Sequence, residues 1–128
     1  MFSLTSNMSY FFYRKRADMR MSFDALCGLV MDEMKRDPMS GEVYIFISKQ
    51  RDRIKLLHWE DGGFVLYYKR LEEGIFEIPV YDPQIADYRM RWSDLVMMVE
   101  GIKLYKITHR KRYETRAYVD NSVDKNNE

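Results

Sequence analysis

One stretch, Arg51-Asp52-Arg53-Ile54-Lys55-Leu56-Leu57-His58-Trp59-Glu60-Asp61-Gly62-Gly63-Phe64-Val65-Leu66-Tyr67-Tyr68-Lys69-Arg70-Leu71, constrains the fold of this chain more than any other. It reads as two β-strands, Arg53 to Trp59 and Phe64 to Leu71, reversing at an Asp-Gly-Gly turn whose glycines supply positive φ. Antiparallel pairing brings the two ends of the stretch together. Arg51, Arg53 and Lys55 on one arm therefore meet Lys69 and Arg70 on the other, while Trp59, Phe64, Tyr67 and Tyr68 gather toward the turn. Strand parity places Arg53, Lys55, Leu57 and Trp59 on one face and Ile54, Leu56 and His58 on the other. The cation-bearing face is expected to be the wetter one. A register that puts Tyr67 on the Lys55 side makes it a mixed basic and aromatic face.

The elements before and after the hairpin follow from periodicity. Tyr10 to Tyr13 is a short aromatic strand. Phe23, Leu26, Cys27, Val30, Met31 and Met34 recur at helical spacing, which predicts an amphipathic helix over 22–36 with Ser22 at its N-cap and Asp24 in its first turn. Pro38 stops it, and Met39-Ser40-Gly41 turns the chain. Val43 to Ile47 is a β-branched and aromatic strand, and Ile75 to Ile78 a further short one. Strands separated by such short turns predict an antiparallel meander. Trp92 to Glu100 is a second, shorter helix, capped by Ser93 and ended by Gly101. The expected fold class is a single α+β domain over 1–104: an antiparallel sheet of four or five strands, one long amphipathic helix packed on it, and the short helix nearby. Residues 1–7 form a frayed lead, and 105–128 comprise a basic segment and a disordered acidic tail.

Composition narrows the function classes. The 128 residues make one domain large enough to fold without staples, and 46% apolar content excludes a disordered chain. A net charge of +1 names no polyanionic partner by itself, but charge is segregated. Between Gly101 and Arg116 six cations face one anion, and Arg14, Lys15, Arg16 and Arg20 face only Asp18. Such local excess supports binding of an anion or an oppositely charged surface. The single cysteine, Cys27, excludes an internal disulfide framework and fits the cytoplasm. No window approaches the roughly 18 apolar residues of a membrane span.

Nothing in the chain marks catalysis. Two-metal phosphoryl-transfer chemistry gathers carboxylates on a pair of metal ions, and no Asp or Glu here has such spacing. His58 and His109 fit no metal pattern. Cys27 sits on the apolar helix face, where a buried hydrophobe is the simplest reading. No Gly-rich phosphate cradle is present. No catalytic residue, metal or cofactor is expected.

Taken together, several segments resemble the TnpB-type accessory protein of bacterial insertion-sequence family sixty-six, which is not the RNA-guided nuclease of the same name. They are Asp18-Met19-Arg20, Phe23-Asp24-Ala25-Leu26, Asp37-Pro38-Met39-Ser40-Gly41, Tyr44-Ile45-Phe46, Arg51 to Leu57, Asp61 to Phe64, Tyr67 to Leu71 and Gly74-Ile75-Phe76. The resemblance spans about residues 10–104, and the helix Trp92 to Gly101 is similar to the family's closing helix. Met21-Ser22 stands where a Lys-Gly pair is common, and Ile75 where a basic residue is common. The resemblance implies a role beside a transposase encoded elsewhere in the same mobile element, and it carries over no catalytic residue.

Two readings of function follow. In the first, the chain binds DNA: Arg51, Arg53, Lys55, Lys69 and Arg70 neutralise phosphates and Trp59 and Tyr67 offer stacking platforms. In the second it is a protein adaptor, in which the Met-rich faces of the two helices (Met31, Met34, Met97, Met98) dock the transposase or another accessory protein with no nucleic-acid contact.

Overall fold

The computed structural model describes residues 4–79 and 88–100; the basic segment 103–116 and the tail 120–128 lie outside these. Seven elements follow in order: β1 (Tyr10–Arg16), α1 (Phe23–Asp32), β2 (Val43–Ile47), β3 (Arg53–Glu60), β4 (Gly63–Arg70), β5 (Arg89–Met90) and α2 (Trp92–Glu100). The strands form one sheet in the order β4-β3-β2-β1-β5.

The α+β class stands, but the sheet is mixed, and the expected antiparallel meander is corrected. β1 runs parallel to β2, with Tyr10 beside Val43 and Phe12 beside Ile45. A parallel neighbour needs a crossover, and α1 supplies it, closing a strand-helix-strand unit. The hairpin pairs as its sequence demands, from Arg53 opposite Arg70 to Glu60 opposite Gly63. Asp61 and Gly62 carry the positive φ of the reversal, at 49° and 83°.

Two further expectations change. Residues 75–78 form no strand. Leu71 N donates to Asp52 O (2.8 Å) and Phe76 N to Arg51 O (2.6 Å), so this segment folds back over the β2–β3 turn and drops Phe76 into the core. The strand added instead is β5, on the opposite edge beside β1. The long helix also ends early, at Asp32 rather than near Arg36. Lys35 adopts φ 57°, and Arg36 N reaches back to Val30 O (3.0 Å), so the chain reverses before Pro38 can act. Ser22 stands at the N-cap position of α1 without a side-chain cap bond. In α2, Ser93 lies inside the first turn, and it is Arg91 whose carbonyl accepts from Asp94 and Leu95.

Both faces of the sheet are covered. On one side Tyr10, Phe12, Val43, Ile45, Ile47, Ile54 and Leu56 pack with Leu71, Phe76, Met90 and, from α2, Leu95 and Met98. On the other, Phe11, Tyr13, Tyr44, Phe46 and Leu57 pack with Leu26, Cys27, Val30 and Met34 on and beyond α1. Alternation along β2 feeds both cores, and all five of its residues are buried. The Asp37 to Gly41 turn is held by Met39 N to Asp37 Oδ1 (2.9 Å), Tyr44 Oη to Asp37 O (3.0 Å) and a positive φ at Gly41. Beside it Arg36 forks onto Glu42 and lies 3.8 Å above the Phe11 ring.

Two predictions follow from this packing. Leu56→Ala and Leu57→Ala point to opposite faces, yet each is expected to cost about 2–5 kcal/mol by urea denaturation; a one-faced sheet would spare one of them. The second concerns Tyr13, whose hydroxyl donates to Glu33 Oε1 (3.0 Å), an oxygen shared with Lys15 Nζ. Burial, reinforced by Glu33, pushes the Tyr13 phenol up to about 12 from 10.0. Because the folded value is raised, this stabilisation is complete below about pH 10 and is lost as pH rises toward 12. Urea midpoints of wild type and Tyr13→Phe measured across that range are expected to converge as pH rises.

Candidate nucleic-acid interface

Since both faces of the sheet are covered, its cations concentrate at one end. Residues 48–53 make the tight β2–β3 turn: Arg51 N donates to Ser48 O (3.0 Å) and Arg51 takes φ 61°. Ser48 Oγ donates to Asp52 Oδ1 (3.2 Å) and accepts from Arg53 N (3.1 Å). Opposite this turn runs a strap, 17–22, that leaves β1 for α1. Its start is tied to the sheet by Ala17 N donating to Ile47 O (2.8 Å). Between turn and strap lies an open groove of about 510 Å³, lined by Arg16, Asp18 and Arg20 from the strap side and Lys49, Gln50 and Arg53 from the turn side. Four cations and one anion line it.

The electrostatics of the groove are internally strained. Arg53 stands directly opposite Arg70 across the β3–β4 ladder, a like-charge pair that costs stability. Arg70 finds relief in Glu72 (2.9 Å). Arg16 has its pKa lowered, first by burial and then by Arg51, which places a further cation at this end. Asp18 is held down to about 2 by the Arg20 guanidinium, which forks onto it through Nε (3.0 Å) and Nη2 (2.6 Å). The anion of the groove therefore stays charged throughout the physiological range.

Lys55 departs from the expectation of a wet cationic face. It is 6% exposed, and its ammonium donates to Met19 O (2.7 Å) and Met21 O (2.6 Å) beneath the Tyr68 ring at 4.7 Å. Burial lowers its pKa, partly offset by Asp18. The face it shares with Leu57 is not solvated because α1 and the strap cover it. Lys55 is thus the peg that fixes the strap, and with it the groove wall, to the sheet.

The other candidate residues disperse. Register puts Tyr68, not Tyr67, opposite Lys55; Tyr67 sits opposite Leu56 and packs on the α2-side core. Lys69 pairs with Ile54 and belongs to that same face. Trp59 lies at the turn end, edge-on to Phe64 with ring centroids 4.9 Å apart. Six residues of strand separate it from Arg53, about 20 Å at strand rise. Arg51 and Arg53 come together, and Arg70 joins them on the Arg53 side. Arg16, Arg20 and Lys49 complete the cluster but were not among the hairpin residues that sequence singled out. For Arg16 and Arg20 the signal was the basic run that closes β1 beside the Asp18-Met19-Arg20 motif, which a parallel β1 carries to the same end of the sheet as the turn after β2, where Lys49 lies.

Chemistry of other kinds finds little support. Among the described residues no group of three or more His, Cys, Asp and Glu side chains could hold a metal ion. Cys27 is buried, and burial followed by Asp24 raises its thiol pKa. His58 is buried, with Nδ1 3.4 Å from Glu42 O and Nε2 3.4 Å from Glu60 Oε1. Among the described residues no helix is long and apolar enough to cross a membrane.

Comparison with known proteins places this arrangement. Residues 8–109 match the family described as IS66 Orf2-like proteins. The chain belongs to that family. It is a family of transposition-associated accessory proteins. Two relatives from Sinorhizobium fredii are similar over half of the chain: the uncharacterized protein y4jC, 34% identical over 62 residues (48% of this chain, 53% of the relative), and the uncharacterized protein y4hO, 35% identical over 63 residues (48% and 54%). The chain spans about half the length of these curated relatives. No solved structure matches. The family match agrees with the resemblance carried by the hairpin and the Asp37-Pro38 turn.

Removing the peg is expected to weaken the fold. Lys55→Met keeps the aliphatic stem but leaves the Met19 and Met21 carbonyls without their ammonium donor, at a cost of about 1–3 kcal/mol. Chemical denaturation of Lys55→Met beside Lys49→Ala, an exposed change expected within about 0.5 kcal/mol, measures the difference.

Proposed function

We propose that this protein assists DNA transposition without catalysing it, by binding DNA in the cytoplasm alongside the separately encoded transposase. The observation that carries the reading is the convergence of cations from distant parts of the sequence, Arg16 and Arg20 with Lys49, Arg51 and Arg53, at one end of a sheet whose faces are otherwise apolar. A polyanion is the partner that such a cluster suits, because each phosphate neutralised releases condensed counterions. Membership of a transposition-associated family supplies the context. Within the hairpin, Arg51, Arg53 and Arg70 stand at the basic end and Lys69 reaches it from the face that carries Tyr67, while Trp59 lies at the opposite, turn end of β3.

The adaptor reading keeps one specific observation in its favour. Met97 is 67% exposed beside Val96 on the outer side of α2, and Met31 and Phe23 are exposed on α1. Exposed methionines suit a pliable protein contact. Both roles are compatible in one chain, since the apolar helix faces and the basic end are separate surfaces.

Replacing Arg51, Arg53, Lys69 and Arg70 together with Ala is expected to weaken binding to random-sequence duplex DNA and flatten its dependence on salt, with the thermal midpoint little changed. Unchanged retention and slope remove the hairpin's basic end from DNA binding. Co-purification with the transposase in high salt, by a wild-type protein that no DNA retains, selects the adaptor.

A further inference from the structure

The groove between the strap and the β2–β3 turn differs from the rest of the basic surface in what it could read. Its donors are Arg16, Arg20, Lys49 and Arg53, and no aromatic ring lines it. Ser48 already spends its hydroxyl on Asp52 and on Arg53 N. Recognition of base edges needs a mixture of donors and acceptors, and stacking needs an exposed ring. Here the accepting groups are Asp18, committed to Arg20, and Gln50. Trp59 is about 20 Å away along β3. Phosphate oxygens are acceptors only, and guanidinium forks match them.

We propose that this groove seats the sugar-phosphate backbone of a nucleic acid and makes no base readout, with Lys55 acting as the positioning residue that fixes the strap wall. This rests on the DNA-binding reading above. Arg20, clamped by Asp18 through Nε and Nη2, keeps its remaining N–H groups for a phosphate oxygen. A phosphate beside Arg16 offsets the repulsion that it feels from Arg51 in the free protein, and Arg53 opens on the same groove. Lys55 is buried beneath the strap and touches no ligand; its two carbonyl bonds set the spacing between strap and turn.

The test is fluorescence anisotropy of the full chain against labelled duplexes of two unrelated sequences, over a salt series. Wild type is expected to bind both duplexes within about twofold, because backbone contacts carry no sequence information. The triple change Arg16→Ala, Arg20→Ala, Lys49→Ala is expected to weaken both by tenfold or more, and to lower the salt slope by about one per cation removed. Asp18→Asn removes the groove's anion and is expected to tighten binding about threefold, a gain that misfolding cannot produce. The groove is overturned if the triple variant, folded by circular dichroism, binds like wild type, or if Asp18→Asn binds no tighter. When that happens while the change at Arg51, Arg53, Lys69 and Arg70 still abolishes binding, the DNA reading stands and only the groove falls. A wild type that retains neither duplex at low salt overturns both. Discrimination of more than tenfold between the duplexes contradicts the absence of base readout.

Discussion

Everything in this fold depends on the central strands being buried from both sides. β2 has no solvent face, and its alternate side chains feed two separate cores, one closed by α1 and one by α2 with the returning segment 71–78. A sheet clothed in this way has nowhere to put charge except its ends and edges, because burying an unpaired ion costs far more than any one contact returns. The groove is thus a consequence of the packing. Turn, strap and the last residues of β1 are where the apolar layers stop.

Lys55 is the exception that joins the two halves of the account. It is a cation in the middle of a buried strand, kept there by two backbone carbonyls and an aromatic face. Removing either partner from such an arrangement leaves the other unsatisfied. The strap it pins cannot hydrogen-bond as a strand, since β1 has ended and α1 has not begun. The same ammonium therefore satisfies strap carbonyls and holds the wall of the groove. In space the two banks of the groove are the strap residues Asp18-Met19-Arg20 and, from the turn, Lys49, Gln50 and Arg53.

Much of this was legible in the sequence. The hairpin and its turn followed from Asp-Gly-Gly between alternating strands, the first helix was placed by periodicity and the second by its boundary residues, and the family was readable from motifs spread along the chain. What escaped did so for physical reasons. A strand, a helix and a second strand in that order specify a parallel pair, but local turn spacing drew attention to the meander instead. Parity sorted Arg53, Lys55 and Trp59 correctly onto one face, yet parity does not say whether a face is covered; α1 and the strap cover this one. The site itself was half visible: Arg53 lines the turn side of the groove, with Lys49 and Arg51 in the same turn, while Arg16 and Arg20 reach the other side only through the parallel crossover, which no local pattern encodes. Tyr67 and Tyr68 exchange roles on a one-residue difference in register, the smallest error that moves a side chain to the opposite face.

The central claim is that nucleic acid meets this protein at the basic end of its sheet and not at its aromatic turn. Two-dimensional NMR of the arginine Nε–Hε and tryptophan indole Nε1–H signals during titration with a short duplex tests it directly. The account predicts shifts at Arg16, Arg20 and Arg53 that saturate together and vanish at high salt, with the Trp59 indole unmoved. Shifts confined to Trp59, with the groove arginines silent, would contradict it.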